Sequence, residues 1–254
     1  MAAMPVDPRA ATGFGPAAQA YDRGRPEYPE EAVARVLRAV GVGAGGTVLD
    51  LAAGTGKLTR TLAPLAGRVV AVEPSEGMLG VLRARLPGVD ARAGDAAAIP
   101  VEDASVDAVF VAQAFHWFGT QAVCAEIARV LRPRGGFVVI YNRDRWDDAG
   151  FDWLPAFNRL TRPLREAAGT FPAEDWERAI AESGRFGPLE RADAEHVQRA
   201  TGEDVVSLVA SWSWIANLPD GRRSELLAAL RELIGAEGEL ALPYSTEIHW
   251  TRLL

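Results

Sequence analysis

Cysteine is almost missing from this chain: Cys124 is the only one among 254 residues. No disulfide can form within the chain, and cysteine-based zinc sites are excluded. The three histidines, His116, His196 and His249, stand far apart without metal-ligand spacing, so no metal site is expected. Lysine is equally scarce. Lys57 is the only one, and nearly all the basic residues are arginine. With the excess of Ala and Gly this reflects a G- and C-rich coding sequence rather than chemistry. Positive charge is also in short supply. The net charge is −7, and a general nucleic-acid binder needs a basic face. No apolar run reaches the ~18–20 residues of a membrane span. Met1 to Pro16 has no charged segment followed by an apolar one, so it does not read as a secretory signal. The expectation is a cytoplasmic protein with neither a membrane nor a nucleic acid as partner. The sequence carries no signal of oligomeric state.

What is present is ordinary for a globular chain: 48% hydrophobic and 24% charged residues. The length predicts one domain over 17–254 after a mobile stretch at 1–16. Glu30 to Val40 places Val33, Val36, Leu37 and Val40 on one helical face, with Pro29 near its start and Gly41 past its end. From Thr47 strands and helices alternate. Strands are predicted at Val48–Leu51, Arg68–Glu73, Val89–Ala93, Val106–Ala112 and Phe137–Asn142, with helices at Gly54–Ala66, Ser75–Leu86 and Thr120–Leu131. Nearly continuous apolar strands separated by helices mean a parallel sheet covered on both faces. After Asn142 the pattern turns helical: Phe151–Ala168, Ala173–Ser183, Glu203–Asn217 and Arg222–Ile234. Glu190–Arg199 reads as an edge strand and Tyr244–Leu253 alternates like a final one. The fold class is thus α/β: a doubly wound, mostly parallel seven-stranded sheet. A core at about 30–142 carries a helical elaboration at about 143–240 and a last strand at about 244–253.

The most informative segment is Val48-Leu49-Asp50-Leu51-Ala52-Ala53-Gly54-Thr55-Gly56-Lys57-Leu58. An apolar strand ends in an acid and a Gly-rich turn that opens a helix, and glycines there let a ligand approach the main chain. A P-loop would need Gly at Leu51 and Ser or Thr at Leu58. A dinucleotide fingerprint would need Gly at Thr59. A plain strand-to-helix turn stays open. The acids discriminate. Asp50, ahead of the glycines, repels a pyrophosphate but suits an ammonium or hydroxyls. Glu73 ends the second strand, where a carboxylate accepts from ribose hydroxyls. Asp95, after the third, can accept from an exocyclic amine such as adenine N6. A ligand with an ammonium, a ribose and an adenine but no phosphate is S-adenosylmethionine.

Several stretches, in order and with matching spacing over about 21–142, resemble the class I S-adenosylmethionine-dependent methyltransferases. The specific likeness is to the type 11 branch, with its ubiquinone-biosynthesis and trans-aconitate methyltransferase-like proteins. They are Y-D-R-G-R-P-E-Y-P (21–29), V-L-D-L-A-A-G-T-G (48–56), V-V-A-V-E-P-S-E-G-M-L (69–79), G-D-A-A-A-I-P (94–100), S-V-D-A-V-F-V-A-Q-A-F-H-W-F (105–118) and E-I-A-R-V-L-R-P-R-G-G (126–136). Ala52 stands where that family has Gly, a mild departure that crowds the loop. The resemblance implies S-adenosylmethionine as cofactor, with Asp50, Ala52, Gly54 and Gly56 around its methionine part and Glu73 on its ribose. Pro74 and Met78 would flank the adenine, Asp95 and Ala96 would meet its edge, and Gln113 and Ala114 would lie near the transferred methyl.

The implied reaction is methyl transfer to a small organic acceptor by in-line displacement, giving S-adenosylhomocysteine. The alternatives are a non-methylating S-adenosylmethionine-binding protein, a nucleic-acid methyltransferase and a nicotinamide dehydrogenase. Ligands gather at the carboxyl ends of parallel strands. His116, beside Trp117, is the candidate base there, because imidazole titrates near neutrality. Tyr141, Arg143 and Trp146 follow the fifth strand; Arg143 and Arg145 either receive a carboxylate or pair with the neighbouring Asp144, Asp147 and Asp148. Tyr21, Arg25 and Tyr28 are candidates to complete a lid. Trp212 and Trp214, two apart, would face different sides of a helix.

Overall fold

A computed structural model describes residues 18–169 and 175–254; the expected mobile stretch at 1–16 lies outside them. The order is α1 (Ala18–Gly24), α2 (Glu30–Ala39), β1 (Thr47–Leu51), α3 (Lys57–Leu62), β2 (Arg68–Glu73), α4 (Glu76–Arg85), β3 (Asp90–Ala93), β4 (Val106–Ala112), α5 (Phe115–Phe118), α6 (Gln121–Val130) and β5 (Leu131–Asp144). Then come a 3₁₀ turn (Trp146–Ala149), α7 (Leu154–Ala167), α8 (Trp176–Glu182), β6 (Glu190–Ala200), α9 (Gly202–Ala210), α10 (Ser213–Ala216), α11 (Asp220–Ile234) and β7 (Leu240–Arg252). The seven strands form one sheet in the order β3-β2-β1-β4-β5-β7-β6. β1 to β5 are parallel; β7 runs antiparallel to both β5 and β6.

Side-chain alternation along the strands builds a core on each face. Leu49, Leu51, Val109, Val111, Phe137 and Val139 pack against α6 and α8. Val48, Ala108, Phe110, Val138 and Ile140 pack against α2 and α3. The stripe read in the sequence, Val33, Val36, Leu37 and Val40, is the face α2 buries. Ser75 caps α4 by accepting from the Met78 N–H, and Thr120 caps α6 by accepting from that of Val123. A third apolar cluster lies within the elaboration and joins Trp146, Trp153 and Phe157 to α9, α11 and the first part of β7.

Two details differ from the sequence-based expectation. The helix predicted over Glu203–Asn217 breaks into α9 and α10. Ser211 turns its hydroxyl onto the Leu208 carbonyl, and Trp212, in extended backbone, starts a new helix. Trp212 and Trp214 therefore stack on each other, centroids 4.9 Å apart, instead of facing opposite sides. After β4, Phe115–Phe118 makes one helical turn. The Tyr21–Gly24 stretch lies in α1, which crosses α9 so tightly that a Cβ on Gly24 would sit 2.2 Å from the Leu208 nitrogen.

Candidate functional site

At the carboxyl end of β1 the chain turns through three left-handed residues, Ala52 (φ 59), Gly54 (φ 59) and Gly56 (φ 86). For Ala52 this conformation is strained by about 1–2 kcal/mol. The turn starts α3 beneath the strand ends, on the face that Asp50 also points to. Asp50 is fully buried. Its Oδ2 accepts from the Thr59 hydroxyl at 2.6 Å, while Oδ1 has no hydrogen-bond partner. Burial pushes the Asp50 carboxyl up to about 7; the Thr59 bond opposes this and the Glu73 charge adds to it.

Glu73, at the end of β2, holds the turn. Its Oε2 accepts from the Gly54 N–H and its Oε1 from the Ser75 N–H, each at 2.9 Å. Burial raises this carboxyl as well, against the two backbone donors that favour its charge. Each oxygen keeps a further lone pair. Met78 is buried with its sulfur close to Gly54, and a ring carbon of Tyr21 of α1 approaches the same glycine. Pro74 is exposed beside them. Asp95 closes its own turn, Oδ1 accepting from the Ala97 and Ala98 N–H groups at 2.8 and 3.2 Å. Ala96 is buried. The structure thus brings Asp50, Ala52, Gly54, Gly56, Glu73 and Met78 around one turn, with Tyr21 over it.

Gln113 ends β4 in a left-handed conformation (φ 55), and its amide donates to the Asn142 carbonyl at 3.0 Å. Ala114 follows, and then His116. The His116 backbone N–H donates to the Tyr141 hydroxyl at 3.1 Å, and its Nδ1 lies 3.4 Å from the same oxygen. Burial lowers the imidazole to about 4, with the Arg143 and Arg25 charges adding to the effect. His116 is therefore neutral near pH 7. The Tyr141 hydroxyl is pushed well above its usual value, chiefly by burial. Trp117 rests on His116 with ring centroids 5.4 Å apart.

The arginines divide. Arg143 is exposed, pairs with Glu247 at 3.1 Å and lies over the Tyr141 ring at 4.8 Å. Arg145, just past the end of β5, is taken by Asp148 and Glu195 on the surface. Arg25 is half-buried, held by the Ser211 hydroxyl at 2.9 Å, with its guanidinium 5.0 Å from the centre of the Tyr21 ring. Trp146 is buried in the elaboration, edge-on to Trp153 and Tyr244.

Several contributing residues were not singled out from sequence. Thr59 holds Asp50, and it occupies the place where a dinucleotide loop would carry its third glycine, so its departure from that pattern was a usable signal. Ser211 anchors Arg25 across 186 residues, which no local pattern encodes. The α1 segment is tied to both halves: Asp22 to Arg85 at 2.6 Å, Arg23 to Asp204 at 2.7 Å, and the following Glu27 to Lys57 at 2.7 Å. Among the described residues no cluster of three or more His, Cys, Asp or Glu could hold a metal ion, and no helix is long and apolar enough to cross a membrane.

Comparison with known proteins identifies the family. A family model described as "Methyltransferase domain" matches residues 49–139. A Mycobacterium tuberculosis protein named as an uncharacterized methyltransferase is 38% identical over 248 residues, covering 92% of each chain. A Schizosaccharomyces pombe protein named as methyltransferase-like is 35% identical over 84% of this chain and 82% of its own. A solved structure from Anaeromyxobacter dehalogenans, named for a type II methyltransferase, superposes with a TM-score of 0.66 at 26% identity, over 90% of this chain and 97% of that one. With the doubly wound sheet and the glycine turn between Asp50 and Glu73, these matches show that the chain belongs to the type 11 branch of the class I S-adenosylmethionine-dependent methyltransferases.

Proposed function

We propose that the turn after β1 and the ends of β2, β3 and β4 hold S-adenosylmethionine, and that its methyl passes to a small organic acceptor seated toward the elaboration. The observation that carries this reading is the unpartnered Oδ1 of Asp50. A buried carboxylate oxygen without a donor is costly, by about 1–3 kcal/mol or more for a charged group. The α-ammonium of the cofactor is a donor of matching charge. Glu73 keeps lone pairs for two vicinal hydroxyls while it fixes the Gly54 turn, so one carboxylate shapes the loop and binds the ribose. Met78 offers an apolar wall for the adenine, with Pro74 beside it and Asp95 and Ala96 at the edge. Oδ2 of Asp95 remains for an exocyclic amine.

When bound, the cofactor supplies an electrophilic methyl on a cationic sulfur, and in-line displacement by the acceptor leaves S-adenosylhomocysteine. The protein's part is to align the nucleophile and exclude water. Gln113 and Ala114 sit at the strand end nearest that event, with Gln113 locked by its strained backbone and its bond to Asn142. His116 is held by Tyr141 as a neutral imidazole. With a conjugate acid near 4 it is a weak base, suited to orienting a nucleophile or taking a proton from an acidic one, not to ionising an alcohol unaided. Tyr21 of α1 and the following Arg25 close the site, and Trp117, Tyr141 and Arg143 border the acceptor side, while Trp146 packs inside the elaboration. The net charge of −7 favours a small molecule over a nucleic acid as acceptor. A labelled-methyl screen of small acceptors should show transfer with matching release of S-adenosylhomocysteine. Tight cofactor binding with no transfer to any acceptor would favour a non-methylating role.

A further inference from the structure

The protons around the Tyr141 hydroxyl can be placed from its contacts. Tyr141 is 2% exposed, and burial holds its hydroxyl protonated. The oxygen accepts the His116 backbone N–H at 3.1 Å and lies 3.4 Å from Nδ1 of the same residue. A phenol has one proton to give. Arg143 lies over the Tyr141 ring and Trp176 beside it, and neither is an acceptor for that proton. Glu247, the cross-strand partner of Tyr141, turns its oxygens to Arg143 and Arg191, and Glu177 lies against His249. Among the described residues, Nδ1 of His116 is the one acceptor within hydrogen-bond reach of the Tyr141 O–H.

Two proton placements compete. With the imidazole proton on Nδ1, the backbone and ring N–H groups of His116 would both point at the Tyr141 oxygen. The phenol proton would then be a buried donor without an acceptor, which folded proteins rarely leave. With the proton on Nε2, the Tyr141 O–H donates to Nδ1 and each of these groups is paired. The hydrogen bond made at one imidazole nitrogen sets which nitrogen carries the proton. Nε2 lies across the ring from that bond, and His116 is half-buried on the short α5 that follows β4. A neutral ring with its proton on Nε2 can donate from there and can take no proton there. The Arg143 and Arg25 charges act against a second proton as well.

We propose that Tyr141 is a positioning residue that fixes the proton of His116 on Nε2, so that His116 meets the acceptor as a hydrogen-bond donor and not as its base. This rests on the methyl-transfer reading above and narrows its acceptor class to molecules that present an oxygen lone pair, as a carbonyl or an oxyanion does, and need no proton removed by this histidine. Two-bond ¹H–¹⁵N correlation spectra of the full-length protein, labelled with ¹⁵N-histidine and held at pH 8, read where the proton sits. The chain has three histidines, and the signal missing in His116→Gln is that of His116. The wild-type spectrum should show the His116 proton on Nε2 and an Nδ1 resonance moved toward the protonated position by the bond it accepts. In Tyr141→Phe that displacement should vanish. A proton on Nδ1, or an Nδ1 resonance that Tyr141→Phe leaves in place, overturns the assignment; the wild-type spectrum decides it alone if that variant does not fold. Labelled-methyl transfer to the small acceptors of the screen gives the second arm. Glutamine donates from about the same place and takes no proton, so kcat in His116→Gln should stay within about tenfold of wild type and at least about fivefold above that of His116→Ala. Equal losses in the two variants overturn the donor role. An absence of transfer by the wild-type protein would instead strike the methyl-transfer reading, with the spectra still deciding the place of the proton.

Discussion

Replacing Asp50 with Asn isolates the charge on which cofactor binding is argued to depend. Burial raises the Asp50 carboxyl from 3.8 to about 7. At about 1.4 kcal/mol per pH unit, ionising it costs about 4 kcal/mol more in the folded free protein than in the unfolded chain. The sign follows from linkage. Between about pH 4 and 7 the folded chain keeps a proton that the unfolded chain has lost, so this group's contribution to stability falls as pH rises through that window and stays low above it. The cofactor's ammonium favours the ionised form, so binding displaces the proton. Apparent affinity should be about fivefold weaker at pH 6 than at pH 7 and about fiftyfold weaker at pH 5, with about half a proton released per cofactor at pH 7. α-Amino groups titrate near 7.7–8.0, so the ligand does not confuse this range. Calorimetric titration in buffers of different ionisation enthalpy measures both quantities. Asp50→Asn keeps an oxygen for the Thr59 hydroxyl and removes the charge. It should weaken binding about 30- to 1,000-fold, flatten the pH dependence, and raise the stability of the free protein at pH 8 by about 1–3 kcal/mol. Wild-type affinity independent of pH between 5 and 7, or an equal slope in Asp50→Asn, would refute the reasoning.

Glu73→Gln forces an amide donor against either the Gly54 or the Ser75 N–H. It should lower stability by about 1–3 kcal/mol in denaturant titrations and weaken cofactor binding besides. Gly24→Ala places a methyl 2.2 Å from the Leu208 nitrogen. Parting α1 from α9 should cost about 1–3 kcal/mol and lower the melting temperature, which differential calorimetry would detect. His116→Ala should lower kcat more than it alters cofactor affinity, and the wild-type enzyme should show no rate transition near pH 6.5 from this residue, whose imidazole is held at about 4. A kcat unchanged in His116→Ala removes it from the chemistry.

The sheet was legible because its parallel strands are continuous apolar runs with capped helices between them. Ser75 and Thr120 fall at helix starts, and the predicted Arg68–Glu73 and Val106–Ala112 strands coincide with β2 and β4. Asp50 and Glu73 could be picked out because acids at strand ends beside glycines are chemically specific. Their state was not readable: that Asp50 keeps one oxygen without a partner, and that Glu73 spends a hydrogen bond from each oxygen on the backbone, depends on which atoms fold onto them. His116 shows the same limit. Its residue type suggested a base, but enclosure and two arginines make it a poor one. The elaboration was least legible. Ser211 breaks the predicted helix by bonding back to Leu208, and the Arg25–Ser211 bond ties the segment after α1 to the elaboration, a contact without any local signature.

The central claim is that the buried carboxylate below the glycine turn recognises the amino-acid end of a sulfonium nucleoside. It is tested most directly by titrating the wild-type protein with S-adenosylmethionine and with 5′-methylthioadenosine, which keeps the nucleoside and lacks the amino acid. The account predicts one site per chain for S-adenosylmethionine and affinity for methylthioadenosine at least about thirtyfold weaker. Equal affinity for the two, or no binding of S-adenosylmethionine, would contradict it.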